Sequence, residues 1–230
     1  MVETIVTKEP TFAFGKKERK LLTDPLNDNN PITVQVLGIC SALAVTTLMK
    51  PSIIMAVAVV FVCAFSNLFT SLLRKAIPKQ VRLIVQLVII ATLVTVVELS
   101  LKAVDYTTYK QLSVFIGLII TNCIVMGRLE AFAMANTPWK SFLDGVGNGV
   151  GYGVILIIVA FFREVFGKGS ILGWKIIGAT PEYLINTTES SIFGWYSNNN
   201  LMVLPASAMF LIAIMIWLHR SYNQKLIGVS

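Results

Sequence analysis

Two cysteines stand out because each lies beside a residue that weakens a helix within an apolar run. Cys40 follows Gly38 by two residues, and Cys123 directly follows Asn122; both Gly and Asn disfavour helix interiors. A lone Cys in an apolar helix usually packs as a small hydrophobic residue, which is our interpretation of Cys63 and the alternative for the other two. Their shared context favours a metal site, because soft thiolates select iron–sulfur clusters, zinc or copper. Such a site usually takes four protein ligands, so two would come from another subunit.

The composition indicates that membrane helices must position these thiols. The 230 residues are 55% hydrophobic and only 13% charged, against about 25% charged in soluble domains, and this hydrophobicity also excludes disorder. Six runs with few or no charges are each about long enough to cross a bilayer, and they leave little room for a separate catalytic domain. The runs cover residues 32–49, 51–73, 83–103, 111–127, 145–162 and 201–218.

The polar segments define the predicted domain organisation. We expect a cytoplasmic tail over residues 1–31, a six-helix transmembrane domain over 32–220 and a cytoplasmic tail over 221–230. The tail contains no apolar stretch typical of a cleaved signal peptide. The one long connection, 163–200, is rich in Gly and Asn and is predicted to be an irregular surface loop.

The distribution of positive charge predicts the orientation. Of the 19 Lys and Arg residues, 13 fall on the side that holds both termini, which the positive-inside rule places in the cytoplasm. Because these charges flank apolar runs instead of forming one stripe, the net charge of +7 is explained without nucleic-acid binding.

The plan of the six runs favours an inverted repeat. Runs one and four are the short, interrupted ones, and each opens a set of three. Three helices per set is an odd number, so two repeats must enter the membrane from opposite sides. We therefore predict an all-α integral membrane protein of two inverted three-helix repeats, whose pseudo-twofold axis would bring Cys40 and Cys123 together. Small solute transporters share this plan and remain an alternative.

Acidic and small residues add two weaker signals. Glu98 and Asp144 lie inside or at the ends of apolar runs, and because intramembrane acids are costly they often serve function. We interpret them as a possible pathway for sodium or protons, with a helix-end or inter-subunit structural role as the alternative. Glycines at every second position from Gly145 to Gly153 predict faces for close helix packing.

Three stretches carry a family resemblance that extends over about residues 24–220. They read NPITVQVLGICSALAVTT at 30–47, QLSVFIGLIITNCIVMGR at 111–128 followed by EAFAM at 130–134, and DGVGNGVGYG at 144–153. They closely resemble the family of D subunits of the bacterial sodium-translocating NADH:quinone reductase. The Rnf electron-transport complexes contain a related protein that shares both Cys contexts, and an equivalent role there is a further alternative.

The resemblance implies a function and a set of partners. Members are multi-pass subunits of the inner membrane, not catalytic alone, that pair with a homologous E subunit of inverted topology. Cys40 and Cys123 match the positions that hold, with two Cys of the E subunit, a [2Fe–2S] cluster. Electrons pass through it from the NADH-oxidising flavoprotein toward the flavin-carrying B and C subunits, while sodium is pumped and quinone is reduced.

One further motif of these complexes is altered here. Gly178, Ala179 and Thr180 resemble the end of the motif that takes a phosphoester-linked flavin in other subunits. Ile177 replaces its expected Ser or Thr, and Trp174 stands where an acid is expected. We therefore expect no covalent flavin on this chain.

Overall fold

The computed structural model describes residues 16–26, 29–75, 77–78, 80–104, 106–168, 170–171, 174–175 and 204–222. The altered flavin motif at 177–180, most of the long loop and both extreme termini lie outside the described residues. Eight α-helices lie within these ranges: α1 (Lys16–Thr23), α2 (Ile39–Val45), α3 (Met49–Leu73), α4 (Arg82–Val104), α5 (Tyr106–Ile120), α6 (Cys123–Arg128), α7 (Pro138–Lys168) and α8 (Pro205–Tyr222).

Shorter elements connect these helices. A 3₁₀ turn (Asp24–Leu26) follows α1, and a π-helical turn (Leu129–Ala133) follows α6. In the part of the chain that the structure describes, β-structure is limited to one antiparallel pair of two-residue strands, β1 (Ser170–Ile171) and β2 (Trp174–Lys175). This hairpin lies at the start of the predicted long loop, and apart from it the described residues form the helical architecture that was predicted.

Four stretches of helix are long and apolar enough to cross a membrane. They are Met49–Leu73, Arg82–Ala103, Ser113–Ala133 and Pro138–Gly167, and they coincide with the second to fifth predicted runs. The first run is not a continuous helix, because it contains the seven-residue α2 and a non-helical segment before it. The architecture is that of a multi-pass helical membrane protein, and the number six stays a prediction.

Two connections predicted from their polar residues are helical instead. The helix α7 continues to Lys168, because Arg163 and Glu164 are buried and bind neighbouring elements. Glu164 accepts a hydrogen bond at 2.5 Å from the backbone N–H of Met49 at the start of α3. Similarly, α5 begins at Tyr106, ahead of the predicted fourth run.

The longest two helices, α3 and α7, pack closely at the predicted glycine face. A methyl group added at Gly149 would lie 2.8 Å from Cα of Val60, and one added at Gly153 would lie 3.1 Å from Cβ of Ala56. At Gly145 the same addition would come within 2.8 Å of Cα of Ala64. Real Cβ contacts are essentially never shorter than 3.0 Å, so at Gly145 and Gly149 only glycine lets the two backbones approach, and at Gly153 a side chain would fit only tightly. The predicted packing face is thereby confirmed.

The second glycine face of α7 packs against the N-terminal segment. An added methyl group would lie 2.7 Å from the Leu21 carbonyl oxygen at Gly147, and 2.5 Å from the Pro25 carbonyl oxygen at Gly151. Part of the segment predicted as a polar tail, namely α1 and the 3₁₀ turn, therefore lies against α7.

Arginines near the C-terminal ends of α3 and α7 bind the segments that lead into the other helix. Arg74 at the end of α3 donates to the carbonyl of Asn136, before α7, at 2.6 Å. Arg163 of α7 donates to the Leu43 carbonyl at 3.2 Å and to the Thr46 hydroxyl at 2.7 Å, before α3. Each long helix thus fixes the start of its counterpart.

Candidate metal centre

The first interruption, residues 30–38, is a non-helical segment that leads into α2. The buried Asn30 organises its start, because its side-chain oxygen accepts a backbone N–H two residues further on at 3.0 Å. The Asn30 amide donates to the carbonyl of Gly151 on α7 at 3.3 Å. Near the end, Val36 and Gly38 have positive φ angles of 57° and 79°, a region that β-branched residues rarely occupy. Tertiary contacts therefore hold this segment in place.

The second interruption is short and consists of Thr121 and Asn122, between α5 and α6. The side-chain oxygen of Asn122 accepts a hydrogen bond at 3.2 Å from the backbone N–H of Ile124. This is an N-cap, which satisfies one of the free donors at the beginning of α6. Cys123 is consequently the first residue of its short helix, as Cys40 is the second residue of α2.

A buried hydrogen bond joins the two interruptions. The amide of Asn122 donates to the Ser41 hydroxyl at 3.2 Å, so the residue before Cys123 binds the residue after Cys40. Both interruptions line one cavity of about 30 Å³. Its lining residues are Gly38, Cys40, Ser41, Leu118, Thr121, Asn122 and Cys123. The structure thus brings the two predicted cysteines to one place, from positions 83 residues apart.

Tyr152 of α7 completes this network. Its hydroxyl lies 2.7 Å from the Ser41 hydroxyl, and the Ser41 hydroxyl lies 3.0 Å from the Gly38 carbonyl. A methyl group added at Gly38 would lie 2.9 Å from the Tyr152 ring. The ring therefore occupies the space that a side chain at the start of α2 would need.

The donor set suits a shared metal centre better than one held by this chain alone. Both Cys40 and Cys123 are free and exposed. In the described ranges, no group of three or more His, Cys, Asp and Glu side chains is placed to hold a metal ion. Two thiolates supply half of the four ligands that iron–sulfur and structural zinc sites usually take. The remaining ligands would have to approach from outside the chain.

Cys63 lies in a different environment from the other two cysteines. It is fully buried on α3, within the hydrophobic core, and its carbonyl accepts the Ser66 hydroxyl at 3.2 Å. This placement matches its interpretation as a packing residue.

Asp144, one of the two predicted acids, is buried on α7 and paired. Arg128 of α6 binds it through two nitrogens, with Nε donating to Oδ2 at 2.9 Å. The Asn148 amide donates to Oδ1 of Asp144 at 3.1 Å. Arg128 is the last residue of the six-residue helix that begins at Cys123, so this ion pair ties that helix to α7.

Glu98, the other predicted acid, is half-buried on α4 and lies in a separate cluster. Its carboxylate accepts a hydrogen bond from the Tyr109 hydroxyl of α5 at 2.9 Å. This bond stabilises the neutral phenol and raises the pKa of Tyr109 above its ordinary value. The ammonium of Lys102 lies 5.9 Å from the centre of the Tyr109 ring. Glu98 thus bridges α4 and α5, whereas Asp144 bridges α6 and α7.

A family comparison identifies the proteins to which this chain is related. The family model described as "Rnf-Nqr subunit, membrane protein" matches residues 19–216. The chain belongs to the Rnf-Nqr family. The matched range contains α2 to α7 and both interruptions.

Two relatives show how closely this Rnf-Nqr chain follows others. A protein of Shewanella halifaxensis (strain HAW-EB4), named as the D subunit of Na(+)-translocating NADH-quinone reductase, is 53% identical over 214 residues, 93% of this chain and 97% of that protein. A protein of the same name from Photobacterium profundum is 56% identical over 206 residues, 90% of this chain and 93% of that protein. The recognition of the D subunit family from the Cys motifs is thereby confirmed.

Sequence reasoning missed the contacts among three residues of this Rnf-Nqr site. Ser41 and Asn122 flank the cysteines directly, and polar residues at such positions in apolar runs are the signal that could have linked them. Tyr152 is the one large side chain in the glycine-rich stretch 145–153. A large residue among glycines indicates that the packing around α7 leaves space for its ring. Arg128 could not be paired with Asp144 from spacing alone, because they lie on different helices.

Proposed function

We propose that this chain is the membrane electron-transfer subunit of a sodium-pumping NADH:quinone oxidoreductase. In this role it holds a [2Fe–2S] cluster within the membrane, together with a homologous partner. One observation carries the proposal: the hydrogen bond from Asn122 to Ser41 draws Cys40 and Cys123 to one cavity with both thiols exposed. The names of the relatives supply the enzyme class.

Cys40 and Cys123 would hold one half of the cluster. When bound, such a cluster takes up and releases single electrons. The chain's contribution is positional, because both thiols stand in the first turn of short helices whose starts are hydrogen-bonded to each other. Ser41 and Asn122, the neighbours of the two cysteines, are themselves buried.

The partner protein follows from the cost of exposed backbone in lipid. Non-helical backbone at membrane depth is tolerated only where protein or a water-filled cavity covers it, because each unpaired group costs several kcal/mol. An exposed cysteine follows each interruption, and Val36 within the first is also exposed. A partner that covers this face and adds two thiolates would satisfy the backbone and the ligand count together. We identify it as the homologous E subunit of inverted topology.

The contact between α3 and α7 supports the inverted repeat. Val60 and Gly149, which face each other, are both the twelfth residue of their helix. On one side of this point Gly145, the eighth residue of α7, meets Ala64, the sixteenth of α3. On the other side Gly153, the sixteenth residue of α7, meets Ala56, the eighth of α3. Arg74 and Arg163 each lie 25 residues after the first residue of their helix and hold equivalent turns. A pseudo-twofold axis that passes between Val60 and Gly149 would relate these pairs.

The remaining partners follow from the enzyme class. Electrons would enter from the NADH-oxidising flavoprotein at the cytoplasmic side and leave toward the flavin-carrying B and C subunits. The charge distribution supports placement in the inner membrane with both termini cytoplasmic. Reporter fusions after residues 78, 136 and 222 should give cytoplasmic signals, and an external signal after residue 222 would contradict this orientation.

Asp144 and Glu98 are our proposed ion-pathway residues. Asp144 is bound by Arg128, so a sodium ion would have to displace that guanidinium, whereas Glu98 is bound by the neutral Tyr109 hydroxyl. Replacement of each acid by its amide should lower sodium-dependent turnover per assembled complex. Glu98→Gln should leave the iron content unchanged, whereas Asp144→Asn also frees Arg128 and loosens the helix that begins at Cys123. An unaltered sodium dependence in both variants would assign them the structural role instead.

Two alternatives remain to be separated from this function. The family model covers Rnf as well as Nqr proteins, and an equivalent Rnf protein would use the same two thiols. A solute transporter is disfavoured, because the cavity at the interruptions measures about 30 Å³, which has room for no more than a few water molecules.

An iron and sulfide assay on the purified complex tests the proposal. Cys40→Ser and Cys123→Ser should each remove the iron and sulfide of this centre and abolish quinone reduction. Oxidation of NADH by artificial acceptors at the flavoprotein should survive, because that step precedes the centre. The matched control is Cys63→Ser, a buried core position, which should keep iron and activity. Iron loss only in the control would overturn the ligand assignment.

A further inference from the structure

We infer that Tyr152, on a helix that contributes no cysteine, is a positioning residue that sets the separation and orientation of Cys40 and Cys123. This inference rests on the proposed function and concerns the same site. Its first basis is placement: Tyr152 is fully buried, with 0% exposure, and its hydroxyl contacts the residue next to Cys40.

The Ser41 hydroxyl lies at the centre of three hydrogen-bonding contacts. A serine hydroxyl has one donor and two acceptor positions. The Ser41 hydroxyl lies 3.0 Å from the Gly38 carbonyl and accepts the Asn122 amide at 3.2 Å. Its third contact is with the Tyr152 hydroxyl at 2.7 Å, where either oxygen can be the donor. When Ser41 donates to Gly38, Tyr152 fills the remaining acceptor position, so the three contacts together hold this hydroxyl in place.

The ring of Tyr152 fixes the same segment sterically. Gly38 immediately precedes α2 and has φ 79°, a conformation that glycine adopts without strain. The ring carbon Cε2 lies 2.9 Å from the position that a Cβ of residue 38 would occupy. The ring and hydroxyl of Tyr152 thus bind both ends of the short stretch from Gly38 to Ser41, with Cys40 between them.

Asn122 extends this control to the other cysteine. It binds Ser41 through its amide and caps α6 through its oxygen, so a movement of Ser41 displaces the start of α6 and Cys123. Since α7 packs along α3 through its glycine face, Tyr152 holds both thiols relative to the most extensively buried helices. Side chains that orient metal ligands from behind also tune the metal they hold.

The chain's own geometry provides the first test. In a Cys63→Ser background, the whole complex is stripped of iron with a chelator and mildly oxidised, and the disulfide between Cys40 and Cys123 is followed by mass spectrometry of its peptides. Tyr152→Phe removes only the hydroxyl and should change the rate of disulfide formation at least threefold. The control Tyr222→Phe removes a hydroxyl from a residue that is 92% exposed and should leave the rate unchanged.

The loaded complex provides the second test. Tyr152→Phe should retain the wild-type iron content and amount of assembled complex, and the midpoint potential of the centre should shift. A role in fold stability alone would lower the amount of complex and leave the potential of the remainder unchanged. An unchanged disulfide rate in Tyr152→Phe overturns the inference. If the wild-type complex holds no iron, the proposed function fails, and the disulfide rate still decides the role of Tyr152.

A second variant covers the case in which Tyr152→Phe does not assemble. Ser41→Ala removes the same hydrogen bond from the other side and should give the same changes in rate and potential. When both variants assemble, the double variant should differ from wild type no more than the larger single variant does, because both changes break one contact. Failure of both single variants to assemble would assign Tyr152 to fold stability and overturn the inference.

Discussion

The two interruptions present their cysteines in similar ways but are built differently. The first spans nine residues with two positive φ angles and depends on Asn30 bound to α7 and on Tyr152. The second needs two residues and is closed by the Asn122 side chain, which caps the following helix. The second is therefore encoded locally, whereas the first exists only when α7 is in place.

The turns that follow the interruptions differ in the same way. The turn after α2 is held by Arg163, which is 1% exposed and also donates to the Leu204 carbonyl at 3.2 Å. The turn before α7 is held at the Asn136 carbonyl by Arg74 and by Ser71, at 2.6 and 2.7 Å. The first half of the site thus relies on one buried cation, and the second half shares the task between two donors.

The largest effect should come from the buried cation. Arg163→Leu leaves the acceptors at Leu43, Thr46 and Leu204 without this donor. We expect ~4 kcal/mol of lost stability, at about 1–3 kcal/mol for the buried Thr46 hydroxyl and about 1 kcal/mol for each of the two part-buried carbonyls. Arg74→Leu, its counterpart, should cost ~1 kcal/mol, because Ser71 still serves the carbonyl. Thermal unfolding of the purified complex measures both, and equal losses would contradict the asymmetry between the two halves.

The next effect should come from the contact of α7 with the first interruption. Gly151→Ala places a methyl group 2.5 Å from the Pro25 carbonyl oxygen, which must move the segment that carries Asn30. We expect a loss of ~3 kcal/mol, the range of overpacking, and a lower iron content. Gly117→Ala is the matched control, because nothing lies within 4 Å of its added methyl group. The control should be neutral or stabilising by up to ~1 kcal/mol, and similar instability in both variants would refute the contact.

A smaller effect should follow at the start of α2. Gly38→Ala forces a residue with a Cβ into φ 79° and toward the Tyr152 ring, at a cost of ~2 kcal/mol. In a Tyr152→Leu background, which lacks the ring edge, Gly38→Ala should cost only the conformational part. Thermal unfolding of both single variants and the double variant checks this, and no cost of Gly38→Ala in the Tyr152→Leu background would show that the positive φ carries no cost.

The smallest effect should be seen at the second interruption, because its chemistry can be replaced. Asn122→Ser keeps an N-cap residue of similar quality and loses only the reach to Ser41, for ~1 kcal/mol. Asn122→Ala also loses the cap, for ~1 kcal/mol more. Equal stability of the two variants would show that capping does not hold this interruption. The rate of disulfide formation between Cys40 and Cys123 ranks the two interruptions by function. We expect this rate to change most in Gly38→Ala, less in Asn122→Ala and least in Asn122→Ser.

Sequence patterns predicted the parts of this site that depend on local chemistry. A helix-weakening residue beside each cysteine indicated the interruptions, and the spacing of the glycines from Gly145 to Gly153 indicated a close helix contact. Both signals are local, because conformational preference and helical periodicity are read within a few residues. The two interruptions could therefore be located, and a close contact between helices could be expected. Which helices meet at that contact could not be predicted.

The remaining features depend on tertiary contacts. The charges of Arg163 and Glu164 predicted a loop, because isolated charges usually mark the end of an apolar span. Each of these side chains is instead hydrogen-bonded to a residue on another element. The docking of α1 on α7 was likewise missed, since its polar sequence alone indicates a tail. In both cases the deciding partner lies far away in sequence, where spacing carries no information.

The hydrogen bond between Tyr152 and Ser41 also determines how late in synthesis the site can be completed. Its two residues are 111 positions apart, and a ribosome that adds 5 to 20 residues per second needs on the order of 5 to 20 seconds to cover that interval. Throughout this time the first interruption has been made but its two anchors, Asn122 and Tyr152, do not yet both exist. Cys40 therefore cannot be held in its final position until the second half of the chain has been made. The pair of thiols is complete only when most of the protein has been synthesised.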